Sequence, residues 1–262
     1  DLVGDDRVGT VMASVTGVVR FAYGSFEIHP RSEADVVLDA SISPSPSPPP
    51  FDGTGLTPIS QINYVADHTG EACESSPLEG EMVGSSGYVS AVAYNGFYMQ
   101  ESTTGTEFGG IFVYCPSADD CGLDSLATGD FVEVYAEVVE YYDLTELAEP
   151  ESVTVVSTGH TLTPLVLTTG ELGTSCTWEG ERWEGLLVTV QGVTILSAPN
   201  EYGEMGIDDG SGETQLEDGL LDTDTHLSDL VGDDLVGTVV ASVTGVVRFA
   251  YGSFEIHPRS EA

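Results

Sequence analysis

Lysine is absent from this chain, and six arginines stand against 44 aspartates and glutamates, so the formal net charge is −38. That balance excludes several partners. Duplex and single-stranded nucleic acid and anionic membrane surfaces are bound by clustered Lys and Arg that neutralise phosphates, and this chain would repel them. No apolar run approaches the roughly 20 residues that span a bilayer, so membrane insertion is not expected. No initiator Met or signal peptide stands at Asp1, and the mature or excised product is expected to be soluble. Disorder, which strong acidity often signals, requires low hydrophobicity, whereas 40% of these residues are hydrophobic. A folded acidic protein follows, long enough for two domains of ordinary size.

Cysteine is also sparse: Cys73, Cys115, Cys121 and Cys176. None has metal-ligand spacing with a nearby histidine, so disulfides are the expected use and four buried thiols the alternative. A Cys115–Cys121 bridge would close a small loop and leave Cys73 to pair with Cys176, although four cysteines allow three connectivities. Disulfides imply an oxidising compartment, and a secreted or cell-surface location is expected.

What the chain has in abundance is internal repetition. Residues 1–34 recur at 229–262 with two changes, Arg7 against Leu235 and Met12 against Val240. A near-identical segment at a fixed offset marks a repeat architecture, here with a unit of 228 residues. Two or three strands cannot bury a hydrophobic face alone. Residues 1–40 are therefore read as the C-terminal strands of a preceding repeat, completing a barrel upstream in the same polypeptide or in a neighbouring molecule by strand donation. Residues 41–52 form a linker whose run Ser41-Ile-Ser-Pro-Ser-Pro-Ser-Pro-Pro-Pro favours extended polyproline II. Ser41, Ser43, Ser45 and Ser47 are candidate O-glycosylation sites, with an unmodified spacer as the equal alternative.

Beyond the linker, short β-rich runs alternate with Gly, Asp and Ser turns, and no stretch keeps a helical period. Strands are predicted at 59–65, 82–93, 97–101, 110–114, 131–142, 152–156, 186–196, 203–207, 214–217, 235–249 and 253–257, with 35–38 in the first copy. The fold class is all-β. Layout repeats between the halves: Cys73 and Cys176 each precede an acidic-Gly turn, at 79–81 and 179–181, and Gly129-Asp130 and Gly232-Asp233 each precede a long strand. Two tandem barrels are expected, at 53–158 and 159–262.

Val83-Gly-Ser-Ser-Gly-Tyr-Val-Ser-Ala-Val, Gly96-Phe-Tyr-Met-Gln-Glu, Gly110-Ile-Phe-Val-Tyr, the turn at 129–130 and Ile207-Asp-Asp-Gly-Ser-Gly-Glu carry a resemblance over most of residues 58–262. Together they resemble the tandem OB-fold modules of secreted bacterial nucleases of the endonuclease/exonuclease/phosphatase type and of related surface proteins. The resemblance implies two OB-fold-like barrels. The nuclease part of that family, with its metal-binding motifs, is matched nowhere, so its activity does not carry over.

Catalytic signatures are missing. There is no His-Glu-X-X-His, Gly-X-Ser-X-Gly, Cys-X-X-Cys or phosphate-cradling Gly-Lys loop, and an enzyme is not expected. Asp208, Asp209 and Glu213, on a Gly-rich turn, are the candidate ligands for a metal, Ca²⁺ being the one suited to carboxylate oxygens, and the acidic loop at 218–224 is a second candidate. A plain hairpin turn is the simpler reading of 208–213, and no cofactor is required. Tyr141-Tyr142 and Trp178 with Trp183 are read as core and interdomain packing, with a sugar-binding groove as the alternative. Arg20 and Arg248 occupy the same repeat position and are expected to bridge carboxylates.

These features suit a structural repeat of an extracellular fibre or stalk, its partners being copies of itself along a linear array. The alternative is a non-catalytic glycan- or Ca-dependent binding module of a secreted enzyme or adhesin.

Overall fold

The computed structural model describes residues 12–15, 18–22, 25–29 and 36–38 through their backbone, and 55–64, 73, 75–221, 227 and 235–259 with side chains except at Asp120. The linker, with Ser41, Ser43, Ser45 and Ser47, lies outside the described residues, as do Gly232, Asp233, Asp222 and Asp224. The chain forms two compact units, Asp1–Asp52 and Gly53–Ala262. The described residues are mostly strands joined by a few short helices, an all-β architecture.

In the first unit, β1 (Met12–Val15) pairs antiparallel with β4 (Val36–Leu38), and β2 (Val18–Ala22) pairs with β3 (Ser25–His29). Val18↔His29 through Ala22↔Ser25 are opposed.

The second unit begins with a short helix, α1 (Ile59–Asn63), where a strand was predicted at 59–65. Ile59 and Ile62, three apart, fall on one face of a helical turn and plug the first barrel, a spacing too brief to register as a helical period. That barrel is closed, in the order β5-β6-β7-β9-β8, with β8 pairing back to β5. Its strands are β5 (Met82–Ala93), β6 (Gly96–Gln100), β7 (Gly110–Tyr114), β8 (Phe131–Tyr141) and β9 (Leu144–Ser157). Strand β8 shows why the sequence folds so: Val132, Val134, Ala136 and Val138 point into the core while Glu133 and Glu137 face out. Between β7 and β8 lie α2 (Ala118–Cys121) and a 3₁₀ turn. The predicted strand at 152–156 is only the end of β9, whose first half is acidic and carries Pro150. There the β8–β9 ladder skips, between Tyr135 and Glu137, which is where a strand tolerates proline.

After β10 (Leu165–Val166), α3 (Thr169–Leu172) and α4 (Trp178–Glu181) come β11 (Leu187–Ile195), β12 (Met205–Asp208), β13 (Glu213–Leu216), β14 (Val239–Ala250) and β15 (Ser253–Pro258). Residues 179–181, read as a turn, belong to α4, capped by Thr177, whose hydroxyl accepts from Gly180 N. These strands form a second ring, β11-β12-β13-β15-β14, closed by β14 on β11, with β10 added at its edge. In each ring the first, second and third strands meander, the third runs parallel to the fifth, and the fourth joins the fifth to the first. The turn before β14 is at Gly237, φ 83°, matching Gly129, φ 88°, before β8. The β14–β15 hairpin repeats β2–β3 pair for pair, Val18↔His29 becoming Val246↔His257.

The two rings press together. Strand β6 is buried on both faces, Phe97 and Met99 lying in the first core and Tyr98 in a separate cluster with Phe112, Leu144, Leu187 and Val246 drawn from both barrels. Gly110 and Gly185 bring their backbones so close that a Cβ on either would overlap the other strand. The buried Gln100 side chain accepts a hydrogen bond from Leu187 N at 3.3 Å, and Phe108 N donates to Arg182 O at 2.7 Å.

Cysteines staple this arrangement. Cys73–Cys176 joins chain segments 103 residues apart, with Cα atoms at 5.6 Å, and Cys115–Cys121 closes the α2 loop. Loop-closure entropy makes the long bridge worth about 4–5 kcal/mol and the short one about 2 kcal/mol. Replacing Cys73 and Cys176 together with Ser is expected to lower stability about twice as much as replacing Cys115 and Cys121, as read by chemical denaturation.

Candidate functional site

A groove of about 1380 Å³ runs along the second unit where the first barrel meets the tip of the β14–β15 hairpin. Tyrosines rim it. Tyr94 stands in the β5–β6 turn, Tyr142 in the β8–β9 turn and Tyr251 in the β14–β15 turn, at 88%, 79% and 97% exposure, and Tyr114 and Tyr141 add further rings. Tyr141 and Tyr142 meet edge to face at 4.8 Å.

Two of these turns are unusual. The two-residue connections Tyr142-Asp143 (φ 51°, 66°) and Tyr251-Gly252 (φ 51°, 87°) place both central residues at positive φ, as hairpins with type I′ turns require. Such positions favour Asn, Asp or Gly, and a bulky aromatic there is uncommon. Both barrels nevertheless set a tyrosine at the corresponding tip.

The floor holds charge. Glu146, on β9, is 5% exposed, lines the groove, and has no hydrogen-bond donor among the described residues. Burial pushes its pKa up to about 7, against the opposing pull of Arg248. Arg248 also lines the groove, and among the described residues no carboxylate oxygen lies within 4.0 Å of it. The expected bridging of carboxylates by Arg248 is therefore corrected: cross-strand Glu255 turns instead to His257. The side chain of Arg20 is not described. Glu137, Asp143, Glu149 and Glu151 complete an acceptor-rich wall.

The tryptophans lie elsewhere. Trp178 and Trp183 flank the Arg182 guanidinium, whose carbon sits 5.2 and 4.8 Å from their ring centres, and Arg182 also pairs with Glu107 at 3.5 Å. Trp183 belongs to the second core and Trp178 packs near Phe108, so this pair serves barrel contact, as its packing reading expected.

The predicted ligand loop is a hairpin turn between β12 and β13. Asp208 accepts from Gly210 N at 2.6 Å and Gly212 N at 3.1 Å, while Asp209 accepts from Thr169 Oγ1 at 2.9 Å and from Ser211 N at 2.9 Å, tying the turn to the start of α3. Slight burial raises the Asp209 pKa, but these hydrogen bonds from Ser211 and Thr169 outweigh it and hold the carboxyl below its usual range. Glu213 stands opposite Asp208 on β13. This bonding ties both aspartates into the turn.

Two buried clusters went unseen in the sequence. His257, 2% exposed, joins Glu217 (Nδ1 to Oε2, 2.7 Å) and Glu255 (Nε2 to Oε2, 3.3 Å). Burial lowers the His257 pKa, but the two carboxylates outweigh it and hold the ring above its ordinary value. The three side chains bring one nitrogen and two carboxylate oxygens within 4.8 Å of one another, a grouping that could hold a metal ion. Glu181 and Glu184 lie buried beside each other near the Cys73–Cys176 bridge. Burial and the charge of Glu140 push Glu181 to about 8, and burial with the charge of Glu181 raises Glu184 well above the carboxylate range.

The chain matches no protein-family model and no curated protein. Among the described residues no helix is long and apolar enough to cross a membrane. Two disulfides point to an oxidising environment.

The raised acids carry a pH signature. Folded Glu181 and Glu184 keep protons that the unfolded chain releases above about pH 4.5, so stability falls as pH rises from there toward about 8. Glu184→Gln needs no proton to be neutral. Its melting temperature is expected to exceed the parent's at pH 8, with the gap shrinking toward pH 5, as measured by calorimetry across that range.

Proposed function

We propose that this chain is a repeat of a linear extracellular array built from pairs of OB-type barrels. One observation carries the reading: the hairpin at 18–29 forms in the same register as the hairpin at 246–257, and the latter is the closing element of a five-stranded ring. An element made to finish a barrel thus stands at both ends of one 228-residue unit. The ring order, with a parallel third and fifth strand, supports the OB assignment. High negative charge keeps such an array soluble and laterally separate, and disulfides hold its modest cores outside the cell. The nuclease relatives of this barrel type contribute no activity to the reading.

Electron imaging of native material with intact mass tests it. Filaments of regular axial repeat, or polypeptide masses rising in steps of one unit, are expected, with excess mass on residues 41–47 if the serines carry glycans. Discrete particles with the mass of one unit, at any Ca²⁺ concentration, would sink the reading.

A second reading, a glycan-binding module, is favoured by the groove. Exposed tyrosine faces stack on the C–H faces of sugar rings, and an acceptor-rich wall suits a ligand rich in hydroxyl donors. Five carboxyls against one arginine disfavour uronic acids, leaving neutral sugars. Titration calorimetry with neutral hexasaccharides of glucose, mannose and N-acetylglucosamine is expected to give saturable binding to at least one, and none to hexagalacturonate. The Tyr142→Asn, Tyr251→Asn double variant places a favoured residue at each positive φ, so it is expected to be at least as stable as the parent yet bind about tenfold more weakly. Equal binding by that variant removes the groove from consideration.

A further inference from the structure

Strand β14 is paired on both sides over only part of its length. One edge runs along β11 from Thr194↔Val239 to Leu187↔Val246. The other meets β15 from Gly245↔Pro258 to Ala250↔Ser253. Over residues 239–244, therefore, this second edge has no ladder partner among the described residues, and Val239 is 67% exposed. An edge without a ladder partner among the described residues, carrying exposed Val239 and half-buried Val240 and Val243, is a template for another strand.

The same chain fills the corresponding place twice. In the first barrel, β9 continues past its skip at Pro150 and pairs along the first half of β8, with Phe131 opposite Ser157 and Val132 opposite Val155. In the first unit, β4 pairs along β1, with Met12 opposite Leu38 and Val15 opposite Val36. Aligning the hairpin tips sets Phe131 against Val240, and the repeat sets Met12 against Val240. Both precedents thus name the same anchor on β14. The filling strands also share Val-Val at equivalent positions, Val155-Val156 and Val36-Val37.

We infer that the free edge of β14 at residues 240–243 receives a strand with the sequence of Val36–Leu38 from the following repeat, Val240 standing opposite that copy's Leu38. This rests on the tandem-array reading and identifies the partner at the junction between successive units. The strand flanks the half-buried Val240 and Val243 and extends the second ring along β14 as the end of β9 extends the first along β8.

The test compares the 262-residue chain with one extended after Ala262 by Asp-Val-Val-Leu-Asp-Ala, the sequence of residues 35–40. Amide hydrogen exchange, resolved by NMR, reads residues 240–243, with residues 131–135 of β8 as the internal reference. The extension is expected to slow exchange at 240–243 at least tenfold and to leave 131–135 unchanged. Replacing both valines of the extension with proline, which removes two backbone donors, is expected to return exchange to that of the unextended chain. Unchanged exchange on extension overturns the inference, as does equal slowing by the proline version. The outcome is separable from the array reading: native material of single-unit mass defeats the array without altering the exchange result, and an array with unaltered exchange defeats only the strand assignment.

Discussion

Ring closure through the fourth strand is the constraint on which the rest of this structure depends. In each barrel that strand must pair with the first strand on one edge and the fifth on the other, as β8 does with β5 and β9. Closure, complete in the first barrel and partial along β14 in the second, removes exposed edges and turns an alternating sequence into an inside and an outside. It also frees the outer faces of β6, β7 and β11 to bury Tyr98, Phe112 and Leu187 against each other. Without closed rings there would be no firm walls to press together, and the close approach of Gly110 to Gly185 would have no support. The long disulfide then acts on an interface already set by strand geometry, holding the segments before each barrel in place.

Charge is the second organising force, and it works mostly against the fold. With a formal charge of −38 and no lysine, few cations are available to pair buried acids. The chain meets this in two ways. His257 stands between Glu217 and Glu255, which favour its protonated form, while burial drives Glu181 and Glu184 toward their neutral forms. The two devices share a direction. A histidine whose pKa is raised by carboxylates contributes stability that is lost as pH rises through its folded pKa, and the raised acids behave likewise. Glu217 and Asp209, held below the usual carboxylate range, act in the opposite sense and lose their contribution as pH falls.

Much of the fold was legible because alternation is a strong signal. The Phe131–Tyr141 strand has valines at every second position, and the recurring hairpin could be placed in register from sequence identity alone. What escaped had specific causes. The first half of β9 holds glutamates and a proline that read as loop, yet its acids face a groove and its proline sits where the ladder skips. Helix α1 is one turn long, too short for its period to show. The glutamates of α4 resembled a turn because Gly180 lies among them, although that glycine is there to let the Phe254 ring approach. The groove was only half visible. Tyr141-Tyr142 stood out as a pair, but Tyr94 and Tyr251 are brought beside them by the fold, and nothing local distinguishes them from core aromatics.

The hairpin tips connect the two functional readings. A tyrosine at positive φ occupies the same turn position in both barrels, and the Tyr-Gly pair at 251–252 recurs in the leading copy as Tyr23-Gly24. Packing does not explain a ring that is 97% exposed, as Tyr251 is, and the turn itself prefers other residues. A single groove of this kind, offering ring faces and a few acceptors, binds a sugar chain only weakly, because each stacked ring gains little beyond its buried area. Repetition changes that arithmetic. In the proposed array, grooves spaced along one polypeptide would meet a long polysaccharide with the second contact already intramolecular, so avidity would exceed single-site affinity by orders of magnitude when the spacing is fixed. Fixed spacing is what a closed, strand-joined barrel provides and a loosely tethered one does not. On the proposed reading, completeness of the second ring is thereby a condition for binding as well as for continuity of the array.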